Sequence, residues 1–420
     1  MALTSPIVVV DDGQDRLGSL ADLRPVFCVR TGALSLVERV EMVFGAERVA
    51  AWWVPEGKRG LSADLTRGPV NDGSSIPGEV VVLNGRCVGV PGWLERLAVG
   101  DVVLDPTSGH AVAARMEGGA ARSFLETGIL PAGMRQVRDP DVIGGTATSA
   151  TRTLIEPWDV IRHRDAALEW DLRHMIERTG WTPPGGVARI GSHAVAAAPS
   201  VKTFPGVVLD ASAGPIVVDE DATLRPNCVV CGPAYIGKGS TVLDGAVIRP
   251  NCAIGPVCKV NGEVSGTIFQ GHANKAHDGF VGDSWVGEWA NLGANTITSN
   301  LLNTYSEIVS QSGPDARRVR TGLTFFGSII GDHVKTAIGT RLMTGSVVGT
   351  GAMVAVSSHA PTAIRRFAWM TDDGTRSYRV DKFVEVMNAV MHRRGVRASQ
   401  GYTNRVRDLL LASETAGSPA

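Results

Sequence analysis

Residues 218–260 read VDEDATLRPNCVVCGPAYIGKGSTVLDGAVIRPNCAIGPVCKV. An aliphatic residue stands at every sixth position: Val218, Leu224, Val230, Ile236, Val242, Ile248, Ile254 and Val260. Four positions after it a small residue recurs, as Ala222, Cys228, Ala234, Ser240, Ala246, Cys252 and Cys258. Ordinary strands alternate with period two and helices with 3.6, so a strict six-residue phase fits neither. It is the hexapeptide signature of a left-handed parallel β-helix. Three hexapeptides make one triangular coil. The aliphatic residue points inward, the small residue fits where the interior narrows, and coils stack at about 4.8 Å, the strand spacing. A second run, Ile330, Thr336, Leu342, Val348 and Val354, keeps the same beat.

The beat also accounts for the cysteines. Cys228-Val229-Val230-Cys231 is a C-x-x-C, a spacing that zinc or redox sites use. Cys228, Cys252 and Cys258 all fall in the small inward slot, however, and no second C-x-x-C is present. They read as small buried hydrophobes, and no metal site is expected. The formal net charge of −1 gives no global electrostatic case for nucleic acid or an acidic membrane. No apolar run approaches the roughly 20 residues of a spanning helix. The N-terminal run Ile7–Val10 is too short for a signal peptide, so a soluble cytoplasmic protein is expected.

Outside the repeat, residues 1–180 read as a separate α/β (Rossmann-like) domain. Ile7–Val10 and Glu79–Asn84 are strand runs, Gly32–Phe44 and Ile161–Thr179 have helical periodicity, and their alternation suggests a mostly parallel sheet. Residues 181–200, containing Trp181-Thr182-Pro183-Pro184-Gly185-Gly186, read as a linker. The β-helix is expected over 201–360 and a short helical extension over 361–420. Within that extension, Asp381–His392 is an amphipathic helix with Asp381 as N-cap, Asn404–Ala412 is a second helix, and Gly417–Ala420 is a loose tail.

The beat slips between Val260 and Phe280, and again from Leu301 to Leu323. Breaks in a solenoid project as loops from one face, often the binding face. His277 follows the first break, and Asn291 and Asn300 lie on the next coil. A neutral imidazole suits proton removal from an attacking amine or hydroxyl near pH 7, with Asp278 or a carbonyl to fix its tautomer. A surface histidine with turn-forming asparagines is the other reading of the same residues.

Lys275-Ala276-His277, Val281-Gly282-Asp283, Asn291-Leu292-Gly293-Ala294 and Thr296-Ile297-Thr298-Ser299-Asn300 together resemble the acetyltransferase site of the bifunctional glucosamine-1-phosphate acetyltransferase/uridylyltransferase family. Ser328-Ile329-Ile330-Gly331-Asp332, Ile248-Arg249-Pro250 and Cys258-Lys259-Val260 extend the resemblance over about Leu224–Val354. Val10-Asp11-Asp12, Leu23-Arg24-Pro25, Leu83-Asn84-Gly85-Arg86 and Ile155-Glu156-Pro157-Trp158-Asp159 are similar to the shorter sugar-nucleotidyltransferase branch of that family. The resemblance implies His277 as general base, Arg249 and Lys259 on a sugar phosphate, and Lys275, Asn291 and Asn300 as further substrate contacts. It also implies acetyl-CoA or another acyl-CoA as co-substrate and a homotrimer. Phe280 replaces the family's tyrosine and Ile338 its donor-side serine. Arg317, Arg318 and Arg320 either meet a CoA phosphate or face water.

For the N-terminal region, residues 1–180, the resemblance implies a nucleotidyltransferase-like α/β domain with a nucleotide site built from Asp11, Asp12, Arg16, Arg24 and Asn84, and Mg²⁺ only if that domain is active. The turn Asp12-Gly13-Gln14-Asp15-Arg16 keeps one glycine, and Arg86 stands where the family has its metal aspartate. Arginine cannot ligate Mg²⁺, although Asp11, Asp12 or Asp105 could substitute. Three functions therefore stand: an acyl-CoA-dependent transferase acting on an amino-sugar phosphate or nucleotide sugar, a sugar-1-phosphate nucleotidyltransferase with the β-helix for assembly, and a non-enzymatic scaffold that binds nucleotide sugars.

Overall fold

A computed structural model describes residues 5–13, 15–106, 108–138 and 153–416, so the expected tail Gly417–Ala420 lies outside the described residues. The N-terminal domain is one six-stranded sheet: β1 (Ile7–Val10), β2 (Val49–Trp53), β3 (Glu79–Asn84), β4 (Asp101–Leu104), β5 (Ala111–Glu117) and β6 (Arg135–Val137), in the order β2-β1-β3-β5-β4-β6. β1 runs parallel to β2 and β3, while β5 runs against β3 and β4. Helices α1 (Leu36–Phe44), α2 (Glu56–Leu65) and α3 (Gly118–Thr127) cover it. α1 begins at Leu36 and not Gly32, because Ser35 and Glu38 form a reciprocal capping box that satisfies the first free N–H groups. α4 (Asp159–Arg162) and α5 (Arg164–Thr179) divide the expected helix over 161–179.

The β-helix begins within the stretch expected as linker, with Ala188–Ile190 and Val195–Ala197. Its first face stacks nine parallel strands, from Val195–Ala197 through Trp285–Val286 and Ser328–Ile330 to Ala363–Ile364. A second face runs from Ala188–Ile190 to Phe280–Gly282 and a third from Lys202–Thr203 to Asn274–Lys275. All eight ladder residues from Val218 to Val260 have zero exposure. The corners explain the glycine and asparagine content: Asp221, Asn227, Gly239, Gly245, Asn251 and Val257 all adopt positive φ. Each corner sits three residues after a ladder residue, and left-handed backbone is cheapest for Gly and Asn.

Cys228, Cys252 and Cys258 are buried where the beat puts them, and Cys231 is half-buried. Burial raises the thiols of Cys252 and Cys258 to about 12. Thiolate is the reactive form, so in the native protein a thiol reagent should modify Cys231 well before Cys252 or Cys258. Peptide mapping after brief alkylation checks this, and equal labelling of the three would contradict the inward placement.

The two domains are not strung on a linker. The outward residues of the first face, Ala196, Val217, Tyr235, Ala253, Ile268, Trp285, Ile329 and Val347, are all buried, in one cluster with Leu17, Leu20, Trp158, Leu168 and Leu172. An apolar ladder on the outside of a solenoid face needs a cover, and α5 with the segment around Leu17 supplies it. The C-terminal extension opens with a hairpin (Ala368–Thr371 and Gly374–Ser377) before α6 (Val380–His392) and α7 (Gln400–Ala416). α6 begins at Val380 with Arg379 as its cap residue and no side-chain cap bond, so Asp381 lies inside the first turn and is not the N-cap. Phe383, Val384, Met387, Met391, Val406 and Leu410 pack with Leu23, Trp289 and Phe367, joining this hairpin of helices to both other parts.

Candidate functional site

On the first face the strands recur every 18 residues from Ile216–Val218 to Cys252–Ile254, and the next two begin at Ile268 and Trp285. These shortened coils place an unusual residue inside. Lys275 pairs in register with Val260, so it occupies an inward ladder position. It is 2% exposed, and its Nζ donates to the backbone carbonyls of Asn261 and His277, both at 2.7 Å. This corrects the expectation that Lys275 contacts substrate: its ammonium is spent on two carbonyls beneath the corner. His277 itself is exposed, at the turn between the third and second faces. It lines an open depression of 470 Å³ with Asn261, Asp278, Ala294 and Asn295. Lys275 thus ties down the backbone that carries the imidazole.

Burial, opposed by Asp278, lowers the Lys275 ammonium to about 8. The unfolded chain keeps an ordinary lysine near 10.4, so between these values it binds more protons than the fold does. Stability should therefore rise with pH from about 8 towards 10. Burial lowers Lys335 to about 8 as well and adds a like rise, so Lys275→Met should cut the slope by about half, as read from denaturation midpoints between pH 7 and 10. A variant with the wild-type pH slope would contradict the assignment.

The other expected contacts are spread around the coil. Asn291 is exposed on the third face and accepts from Asn274 Nδ2 at 2.7 Å. Asn300 donates to Asp283 at 2.7 Å, and Asp283 also takes the Arg164 guanidinium of α5. Asn300 is thereby tied to the domain seam, away from the His277 depression. Arg249 pairs with Glu263 at 3.1 Å on the second face, with half of its side chain exposed. Lys259 stands on the third face in a different cleft. Ile338 is 80% exposed, and Arg317 and Arg318 are exposed on the loop between coils.

That cleft, of 380 Å³, is lined by Lys259, His272, Asn274, Trp289, Asn291 and Lys335 on the β-helix and by Val390, Arg393 and Arg394 at the end of α6. Lys335, Arg393 and Arg394 were not singled out from the sequence. One signal was legible: Lys335 precedes Thr336 as Lys259 precedes Val260, so both occupy the outward slot of the third face. The arginines had none, because only the folded C-terminal helices bring them there.

In the N-terminal domain, Asp11, Asp12 and Asn84 line a 730 Å³ cavity beyond the C-terminal ends of β1 and β3, together with Trp53, Glu56, His110 and Phe124. Arg16 instead pairs with Glu156. Arg24 is 2% exposed and reaches across the domain seam to Asp332 at 2.9 Å and Glu288 at 3.3 Å. It is an interdomain anchor, which corrects its expected place at a nucleotide. The carboxylates do not fit magnesium either. Asp11 accepts from the Gly13 and Val26 amides and from Lys58, Asp12 from Arg86 and Asn84, and Asp105 from Ser108 and Thr153. Mg²⁺ wants several free oxygens in octahedral array, and among the described residues no group of three acidic, His or Cys side chains could hold a metal. No helix among them is long and apolar enough to cross a membrane.

No family model matches the chain. It is 35% identical over 144 residues to a bifunctional GlmU protein of Methanococcus maripaludis, covering 34% of each chain. It is 31% identical over 144 residues to a bifunctional sugar-1-phosphate nucleotidylyltransferase/acetyltransferase of Sulfurisphaera tokodaii, covering 34% of this chain and 35% of that one. Among solved structures it resembles a hexapeptide transferase family protein from Anaplasma phagocytophilum at 12% identity and TM-score 0.20, over 55% of this chain and 96% of that one. The chain spans about a third of the length of the curated relatives it matches. Over that third, the chain is related in sequence to bifunctional sugar-1-phosphate nucleotidylyltransferase/acetyltransferases.

Proposed function

We propose that the protein is an acyl-CoA-dependent transferase, acetyl-CoA being the expected donor, acting on an amino-sugar phosphate or nucleotide sugar. The observation that carries this reading is the corner at His277: an exposed imidazole on a backbone that a buried lysine clamps. A ladder of aliphatic residues gains nothing from a lysine inside it, and burying an ammonium is costly unless its hydrogen bonds are made. Here those bonds fix the corner in place. The Sulfurisphaera tokodaii relative is named an acetyltransferase as well as a nucleotidylyltransferase, which supports the same chemistry.

In the proposed step His277 accepts a proton from the acceptor amine as nitrogen attacks the thioester carbonyl. The tetrahedral oxyanion collapses, the carbon–sulfur bond breaks, and the thiolate leaves to take a proton. A base poised near the working pH supplies typically 10²–10⁴-fold. Asn291 and the polar groups of the third face would orient the acceptor. The nucleotidyltransferase reading has less support, because the N-terminal carboxylates are already bound by fixed donors. One assay tests both: free thiol from acetyl-CoA and pyrophosphate from UTP, with glucosamine 1-phosphate and N-acetylglucosamine 1-phosphate as acceptors. Thiol release without pyrophosphate is expected, and pyrophosphate without thiol would overturn the proposal.

A further inference from the structure

The cleft between the third face and α6 has a composition unlike the rest of the β-helix surface. Register stacks Lys259, Asn274, Asn291 and Lys335 outward on four successive coils. Three strand steps put the two lysines roughly 14 Å apart at their backbones. Arg393 and Arg394 face them from the end of α6, and Arg394 is fixed by a 3.1 Å bond to the Val257 carbonyl. None of the lining residues is acidic. His272, the remaining basic group, is held by Glu288 at 2.9 Å behind the wall.

Two further features mark this as a built site and not a solvated basic patch. The first is the corner beside it, where the His272 and Trp289 rings stack at 4.2 Å and form a flat aromatic end to the cleft. The second is Lys335. It is half-buried, and burial lowers its ammonium to about 8. A cation left in that state on a pocket wall is stabilised by an anion that arrives from outside.

We infer that this cleft binds the phosphate-bearing part of a small molecule, with Lys259, Lys335 and Arg393 as its charge partners and Trp289 as a stacking surface. His277 lies three residues beyond Asn274, at most about 10 Å along extended chain. A ligand with its phosphates in the cleft can therefore present its reactive end at the imidazole. This deepens the acyl-transfer reading and rests on it for the identity of the ligand. Phosphate chemistry is shared by coenzyme A and by a sugar phosphate, so both are tested.

Titration calorimetry on the full chain, with inorganic pyrophosphate, coenzyme A and glucosamine 1-phosphate as probes, reads binding without turnover. Pyrophosphate should bind and should displace whichever of the other two is the occupant. Lys335→Gln and Arg393→Gln should each weaken binding roughly ten- to hundredfold, the size of one lost charge-assisted contact. Arg393 is exposed at a helix end, so its variant folds and keeps the test sharp. Absence of binding by all three probes, or affinities unchanged in both variants, would overturn the inference. Thiol release that ignores His277 while these affinities hold would count against the base and leave the cleft standing.

Discussion

Replacing His277 by alanine should lower the acyl-transfer kcat by about 10²–10⁴-fold, the range a single general base supplies. KM for the acceptor should change little. The imidazole is exposed, and the described contacts at that corner run through the His277 carbonyl and not through its ring. The substitution therefore removes a proton acceptor without disturbing the coil. Steady-state thiol release with saturating acetyl-CoA separates the two parameters. A loss confined to KM would mean that His277 binds and does not catalyse.

The second large effect belongs to Arg24. Its guanidinium is enclosed between Asp332 and Glu288 of the β-helix, and it donates to the Leu20 carbonyl on its own side. Breaking a buried ion pair by removing one partner leaves an uncompensated charge and typically costs about 3–5 kcal/mol. Arg24→Ala should destabilise the protein by about that amount in urea, and it should do so through the domain seam. Asp332 also takes the Glu288 amide at 2.7 Å, so its loop is tied to the same cluster. Arg16→Ala, which breaks a pair with an arginine side chain 67% exposed, should by contrast cost about 1 kcal/mol or less. Equal effects from the two arginines would contradict the seam.

The β-helix was legible because each coil repeats one geometric demand: an inward aliphatic residue, a small residue where space narrows, and a left-handed corner. Those demands are local, so sequence phase carries them. Phase also flagged the interruption at Lys275 and His277. It did not show that Lys275 keeps an inward position through the slip, because that depends on which coil pairs with which. The docking of the α/β domain was hidden for the opposite reason. Outward residues such as Val217 and Ile268 lie outside the six-residue ladder, and their burial depends on a partner far away in sequence. Arg24 looked like a phosphate ligand by position along the chain, and only folding brings it to carboxylates more than 260 residues on. The cleft at Lys335 and Arg393 needs α6 returned against the third face, which no local pattern encodes.

The central claim is that His277 takes the proton during acyl transfer. It is tested most directly by measuring free-thiol release from acetyl-CoA with glucosamine 1-phosphate, on wild type and His277→Ala side by side at equal folded concentration. The account predicts acceptor-dependent release by the wild type and a fall of at least about 100-fold in the variant. Release at the same rate from both would contradict it.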